Sequence, residues 1–217
     1  YAPGKPDADF IICAAEAAAE IVRAERPLVI VGGGVISAGA SAQAIAFIEK
    51  YKLPVVHTLM GMGGIPSTHP QMLGFIGMHG AKTANYAVGA ADLVIALGSR
   101  FADRQTGNLS KFTANRKFIH IDIDPAEIDK IVGSSIGLAG DMRVVLNLLM
   151  RKEPKRDHTA WWQQIHTWQE EFAYDYHSDV LSVPWALNQV ARMTAGKACA
   201  YATDVGQHQM WAALHLR

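Results

Sequence analysis

Several stretches of this chain combine residue types and spacings that could do chemistry. Near the C-terminus, Asp204-Val205-Gly206-Gln207-His208-Gln209-Met210-Trp211 follows an apolar run, Ala198 to Thr203, that reads as a strand, and opens an amphipathic segment. A strand, a glycine turn and a helix start make an anion site, because first-turn N–H groups lack intrahelical partners and sit at the positive end of the helix dipole. Gly206 lets the backbone approach a phosphate to which Gln207 and His208 can donate; the alternative is that both merely cap the helix. Gly32-Gly33-Gly34 follows another apolar run and suits either a close phosphate approach or a tight turn. It is not the dinucleotide fingerprint, since Ser37 stands where the last glycine belongs. Arg100-Phe101-Ala102-Asp103-Arg104 sets two arginines one helical turn apart, able to grip a diphosphate or to form a solvated, salt-bridged loop. In His120-Ile121-Asp122-Ile123-Asp124-Pro125, period two puts the three polar side chains on one strand face. A metal is conceivable there, but Asp122 reads better as a ligand carboxylate, such as a ribose acceptor, and Asp124 as the cap of the turn after Pro125.

Those residues need elements to hold them. Ala8 to Ala24 has helical apolar spacing and is ended by Arg26-Pro27, after which Leu28 to Val31 reads as a buried strand. A helix from about Ala40 to Tyr51, a strand Pro54 to Thr58, a glycine-rich loop and a helix around Thr83 to Ala90 follow. Strands Leu93 to Leu97 and Phe118 to Ile123 and helical stretches Glu127 to Ile136 and Arg143 to Met150 complete the unit. This alternation predicts an α/β fold of three layers, αβα, around a mostly parallel sheet. The charged stretch Arg151 to Asp157, with Pro154, marks a boundary. It divides a central domain (1–150), a linker with a helix (151–182) and the start of a second, partial α/β domain (183–217). Within the linker, Trp161, Ile165, Trp168 and Phe172 share one helical face, which reads as a packing surface. Tyr1 to Pro6 also looks like a linker.

The bulk numbers narrow the function classes. The chain has 217 residues, half of them hydrophobic, and its 20 basic and 20 acidic residues cancel, so nothing electrostatic points to nucleic acid. Cys13 and Cys199, far apart in apolar runs, read as buried thiols in a reducing compartment, the bacterial-type cytoplasm or, alternatively, an organelle. No apolar run reaches bilayer length. No zinc-type His/Cys cluster, P-loop, nucleophile elbow or glycosidase acid pair occurs, so no metal site and no self-contained catalytic residue is assigned.

Taken in order, Leu59-Met60-Gly61-Met62-Gly63-Gly64-Ile65-Pro66, Gly77-Met78-His79-Gly80, the Arg100 to Gly107 segment, His120 to Pro125 and Asp204 to Ala213 resemble the large, catalytic subunit of acetolactate synthase (acetohydroxyacid synthase). This is a thiamine-diphosphate enzyme family of branched-chain amino-acid biosynthesis. The resemblance implies a Rossmann-like middle domain carrying FAD, with contacts from Gly33, Thr58, Leu59, Ile76, Gly77, Met78 and His79. Further flavin contacts are implied at Gly98, Ser99, Arg100, Phe101, Asp122, Ile123, Asp141 and Met142, and thiamine-diphosphate contacts at Val205, Gly206, Gln207 and His208. Where the family shows Arg-Phe-Asp-Asp-Arg this chain has Ala102, which predicts one polar contact fewer and weaker FAD binding. The implied reaction condenses two pyruvates, or pyruvate and 2-oxobutyrate, with decarboxylation, to 2-acetolactate or 2-aceto-2-hydroxybutyrate; FAD is structural in it. The resemblance also implies a homo-oligomer, dimer or tetramer, and a small regulatory subunit. It places the activating glutamate before Tyr1 and the Mg2+ ligands after Arg217, so the chain is expected to be an inactive fragment by itself. Two rivals remain: another thiamine-diphosphate carboligase or decarboxylase, and a non-catalytic flavin- or nucleotide-binding module.

Overall fold

The computed structural model describes residues 6–176 and 181–216. The first five residues of the N-terminal linker reading, 177–180 of the second linker and Arg217 lie outside that description. The chain begins with helix α1 (Ala8–Arg23), whose first turn is capped by the Asp7 carboxylate accepting from Phe10 N at 2.8 Å. Proline at the head of strand β1 (Pro27–Val31) forbids helix in the residue before it. Helices α2 (Gly33–Ser37) and α3 (Ser41–Tyr51) follow, then β2 (Val55–His57), a 3₁₀ turn (Leu59–Gly61) and β3 (Met72–Phe75). Next come α4 (Lys82–Ala90), β4 (Leu93–Leu97), the short α5 (Asp103–Thr106) and α6 (Leu109–Thr113), and β5 (Lys117–Asp122). After a 3₁₀ turn (Pro125–Glu127) the chain forms β6 (Ile136–Ala139), α7 (Met142–Leu149), α8 (Thr159–Glu171), α9 (Val183–Thr194) and α10 (Gln207–His215).

The six strands make one sheet in the order β3-β2-β1-β4-β5-β6, every pair parallel. The three-layer α/β expectation therefore holds. The central strands β1 and β4 read as unbroken apolar runs because both faces are covered. Val29, Val31, Ile95, Leu97, Ile119 and Ile121 pack beneath α1, α3 and α7, while Leu28, Ile30, Val94 and Phe118 face α4 and α8. The tryptophan face of α8 does pack: Trp161 and Ile165 are buried, Trp161 Nε1 donates to the Pro27 carbonyl at 3.0 Å and Trp162 Nε1 to that of Lys52 at 2.8 Å.

Several local expectations need correction. Glu127 to Ile136 is not a helix: the left-handed Asp129 accepts from both the backbone N and the hydroxyl of Ser134 at 2.6 Å, looping the chain back so that Ile136 pairs with Ile119. The helical spacing of its isoleucines is broken by Gly133-Ser134-Ser135. The glycine-rich loop contains an unforeseen strand, β3, too short and glycine-interrupted to show a period. The glycine triplet opens a helical turn, α2, where a loop was expected. Ala198 to Thr203 forms no strand and is exposed throughout, Cys199 included, while Cys13 is only half-buried. A strand exists only through hydrogen bonds to a neighbour, and the sheet ends at β3 and β6 without reaching this run.

Where the core meets the charged segment after α7, Tyr51 acts as a latch. Its buried hydroxyl lies 2.7 Å from the Leu149 carbonyl and 2.6 Å from that of Lys152, so one proton serves two helix-end acceptors. Burial, with Glu153 adding to it, pushes the phenol pKa up to about 12. The folded state thus holds the proton longer than the unfolded chain, whose phenols titrate near ~10. The stabilisation is complete below that pH and is lost between it and the folded value, a change of roughly 2–3 kcal/mol. Urea midpoints measured from pH 8 upward should fall in that window for the native chain. Tyr51→Phe should start about 1 kcal/mol lower at neutral pH and lose this alkaline limb. An unchanged alkaline fall in Tyr51→Phe would assign it to other groups.

Candidate functional site

In a parallel sheet every strand delivers its following loop to the same edge. Here the chain leaves β1 toward β2 on one side and reaches β4 on the other, so the strand order reverses between β1 and β4. Such a switch point opens a crevice at the carboxyl edge, where open α/β sheets bind ligands.

Backbone contact builds the crevice. Gly32 N donates to the Leu97 carbonyl at 2.8 Å and Gly34 N to that of Gly98 at 3.1 Å. A Cβ on Gly32 would lie 2.1 Å from the Gly98 oxygen, so the loops after β1 and β4 interlock with no room for side chains. Gly98 itself has φ 58°, the left-handed region that glycine adopts without strain. The loop after β2 joins them: Thr58 N donates to the Val31 carbonyl at 3.0 Å, and Thr58 Oγ1 caps the 3₁₀ turn by accepting from Gly61 N at 3.1 Å. From the outermost strand, the loop after β3 crosses to the one after β4, with Met78 N donating to the Arg104 carbonyl at 2.8 Å.

The residues singled out from the sequence fall into two groups. Gly33, Thr58, Leu59, Gly77, Met78, His79, Gly98, Ser99, Arg100, Asp122, Ile123 and Asp141 all lie on loops, helical-turn starts or strand ends at the carboxyl edge. Arg100 and Asp122, which follow and end neighbouring strands, are on this same edge. Ile76, Phe101 and Met142 are there too, but their side chains are committed to the core, which leaves main-chain groups for any ligand. Asp122 is buried and accepts from Asp124 N at 3.0 Å, while Asp124 caps the next turn through Ala126 N at 2.9 Å, the cap expected of it. Asp141 is the N-cap of α7, and its hydrogen bond to Arg143 holds its carboxyl below the usual range. Sequence reasoning did not assign Ser99 and Gln105 to each other; the Ser99 hydroxyl donates to Gln105 Oε1 at 3.1 Å across one turn.

The second group, Val205, Gly206, Gln207 and His208, lies at the start of α10, outside the strands of the sheet. Gly206 has φ 152° and serves as N-cap, with no side chain to cap the helix, and Gln207 and His208 beside it are exposed. Uncapped first-turn N–H groups beside two exposed donors fit an anion such as a diphosphate.

A cavity of about 940 Å³ opens instead at the amino edge, lined by Glu25, Arg26, Arg156, His158 and Trp161 among others. Its charges are largely matched, Arg156 lying 3.6 Å from Glu25 and the Arg26 Nε donating to the Ala90 carbonyl at 2.8 Å. Because the strand order reverses between β1 and β4, the carboxyl edge remains the better candidate despite the size of this cavity. Among the described residues no group of three or more His, Cys, Asp or Glu could hold a metal ion, and no helix is long and apolar enough to cross a membrane.

A doubly wound parallel sheet with glycine loops interlocked at its switch point defines a three-layer α/β domain. Residues 14–149 match the family model of the thiamine pyrophosphate enzyme central domain, and the chain belongs to that family. It is 43% identical over 205 residues to the acetolactate synthase isozyme 3 large subunit of Escherichia coli, covering 90% of this chain and 35% of that protein. It is 44% identical over 200 residues to the acetolactate synthase large subunit of Haemophilus influenzae, covering 88% and 35%. Against the probable acetolactate synthase large subunit of Methanocaldococcus jannaschii the identity is 41% over 214 residues, covering 91% and 35%. The chain thus spans about a third of the length of the curated relatives it matches.

Proposed function

We propose that this chain serves as the central part of an acetolactate synthase large subunit, with the start of its diphosphate-binding domain. The observation that carries the reading is the likeness to acetolactate synthase large subunits at 43% identity over 205 residues, a longer match than the central-domain residues 14–149. A generic flavin- or nucleotide-binding module would not require the second segment, and the alternative thiamine-diphosphate decarboxylases are less favoured by the relatives' names. The reaction is the decarboxylating condensation of pyruvate with a second pyruvate or with 2-oxobutyrate.

In this reading the carboxyl-edge crevice holds FAD. Its glycine loops admit a pyrophosphate against bare backbone, Arg100 supplies positive charge, and Asp122 offers a carboxylate for ribose hydroxyls. The start of α10 holds the other cofactor's diphosphate through the amides of its first turn, Gln207 and His208. Thiamine diphosphate, when bound, supplies the carbanion-stabilising chemistry for decarboxylation and carbon–carbon bond formation. The helix dipole contributes only about 0.3–1 kcal/mol to an exposed anion, so side-chain donors and Mg2+ supply most of the affinity. Mg2+ ligands, a homo-oligomer and a small regulatory subunit belong to the whole enzyme in this reading. The two free thiols, Cys13 and Cys199, accord with a cytoplasmic setting.

The test is cofactor titration of the full-length protein. Asp122→Ala should lose FAD affinity by roughly tenfold or more with the fold retained, since a buried carboxylate's charge-assisted bonds are the stronger kind. Gln207→Ala and His208→Ala should weaken thiamine diphosphate while leaving FAD in place. Wild-type affinity for both cofactors in all three variants would sink the assignment.

A further inference from the structure

His120 presents a polar ring where an apolar one would pack. It is 1% exposed on β5, and the ring of Phe101 meets it edge-on at 5.0 Å, with Phe118 and Phe112 behind Phe101. Its Nε2 lies 2.9 Å from the Ser99 carbonyl. A carbonyl has no proton to give, so Nε2 carries the hydrogen and Nδ1 is left a bare acceptor. Nδ1 is buried with no hydrogen-bond partner among the described residues. Burial pushes the imidazole pKa down, against the pull of Asp122, which agrees with a neutral ring. An unmet buried acceptor costs free energy that a leucine here would not incur. What the imidazole gains in exchange is one bond, to Ser99.

That bond falls at a critical turn. Between Gly98 (φ 58°) and Phe101 (φ 53°) the backbone enters the left-handed region twice, the second time at a residue that is not glycine. Ser99, between them, is held by its carbonyl to His120 and by its hydroxyl to Gln105. The Phe101 ring, packed against the same imidazole, anchors the far end of the turn. Arg100 projects from the middle, exposed and with no ion-pair partner among the described residues. His120 lies beneath this turn, too buried to touch a ligand itself.

We propose that His120, acting through the Ser99 carbonyl, is a positioning residue that sets the Gly98–Phe101 turn, and with it Arg100, for binding the flavin dinucleotide. The proposal rests on the reading that the carboxyl-edge crevice holds FAD. Two isosteric tests separate it from a packing role. Glutamine places an amide N–H where Nε2 stands, whereas asparagine buries the same amide short of the Ser99 carbonyl. In the full-length protein, His120→Asn should raise the FAD dissociation constant roughly tenfold, the scale of one net hydrogen bond, and His120→Gln should stay within about threefold of wild type. Their cofactor-free melting curves should match. In an Arg100→Ala background, adding His120→Asn should change FAD affinity no further, because the two residues act as one unit. Should His120→Asn fail to fold, the volume-matched His120→Leu carries the same comparison. Equal FAD affinity in the Asn, Gln and wild-type proteins, or losses from Arg100→Ala and His120→Asn that simply add, would overturn the proposal while leaving FAD in the crevice. Full FAD affinity in both Arg100→Ala and Asp122→Ala would overturn the crevice reading itself.

Discussion

Gly98→Ala is expected to lower stability by roughly 3 kcal/mol or more and to abolish FAD binding with it. Two separate penalties meet at this residue. Its φ of 58° disfavours any side chain, and a Cβ there would lie 2.5 Å from Gly34 Cα, inside the loop interlock that closes the switch point. The obstruction is backbone, so no rotamer change relieves it; the β1 and β4 loops must separate, opening the crevice they form. Gly89→Ala is the control. Gly89 lies in α4 with nothing within 4 Å of an added Cβ, so alanine there should stabilise the chain by up to ~1 kcal/mol through helix propensity alone. Urea denaturation of both variants, with flavin fluorescence quenching as the binding measure, checks the pair. A Gly98→Ala protein within about 1 kcal/mol of wild type would mean that the interlock is looser than these distances imply.

The 217-residue chain supplied with pyruvate, thiamine diphosphate, Mg2+ and FAD should form no acetolactate above the cofactor-only blank. General acid–base catalysis contributes on the order of 10²–10⁴-fold per positioned group, and electrostatic stabilisation often contributes more. Nothing comparable is assembled around the Gly206 turn. Gln207 and His208 are exposed, the carboxylate of Asp204 accepts from the adjacent Val205 N at 2.7 Å, and the described residues offer no metal-binding cluster. The run 195–205 is exposed and forms no strand, so the turn is not held by the sheet. Discontinuous or coupled detection of acetolactate reads the result directly. Steady turnover by this chain would show that it carries a catalytic centre of its own.

What could be read from the residues alone was whatever depends on local pattern. The unbroken apolar runs of β1 and β4, the proline that opens β1, the cap at Asp124 and the tryptophan face of α8 each follow from spacing or from one side chain's reach. The same logic marked Gly33, Arg100 and Asp122 as strand-end residues, and a parallel sheet then obliges them to share an edge. Other features required the tertiary structure, because their causes lie far away in sequence. Ala198 to Thr203 has strand composition but no strand, since pairing needs a neighbour that composition cannot supply. Glu127 to Ile136 has helical spacing, yet the open edge of β5 recruits its end as β6. The Gly98 interlock with Gly32 and Gly34 joins positions more than sixty residues apart, and the His120 bond to Ser99 depends on two strands lying in register. Local propensity sets which elements can form; long-range hydrogen bonding and close packing decide which of them do, and where their ends meet.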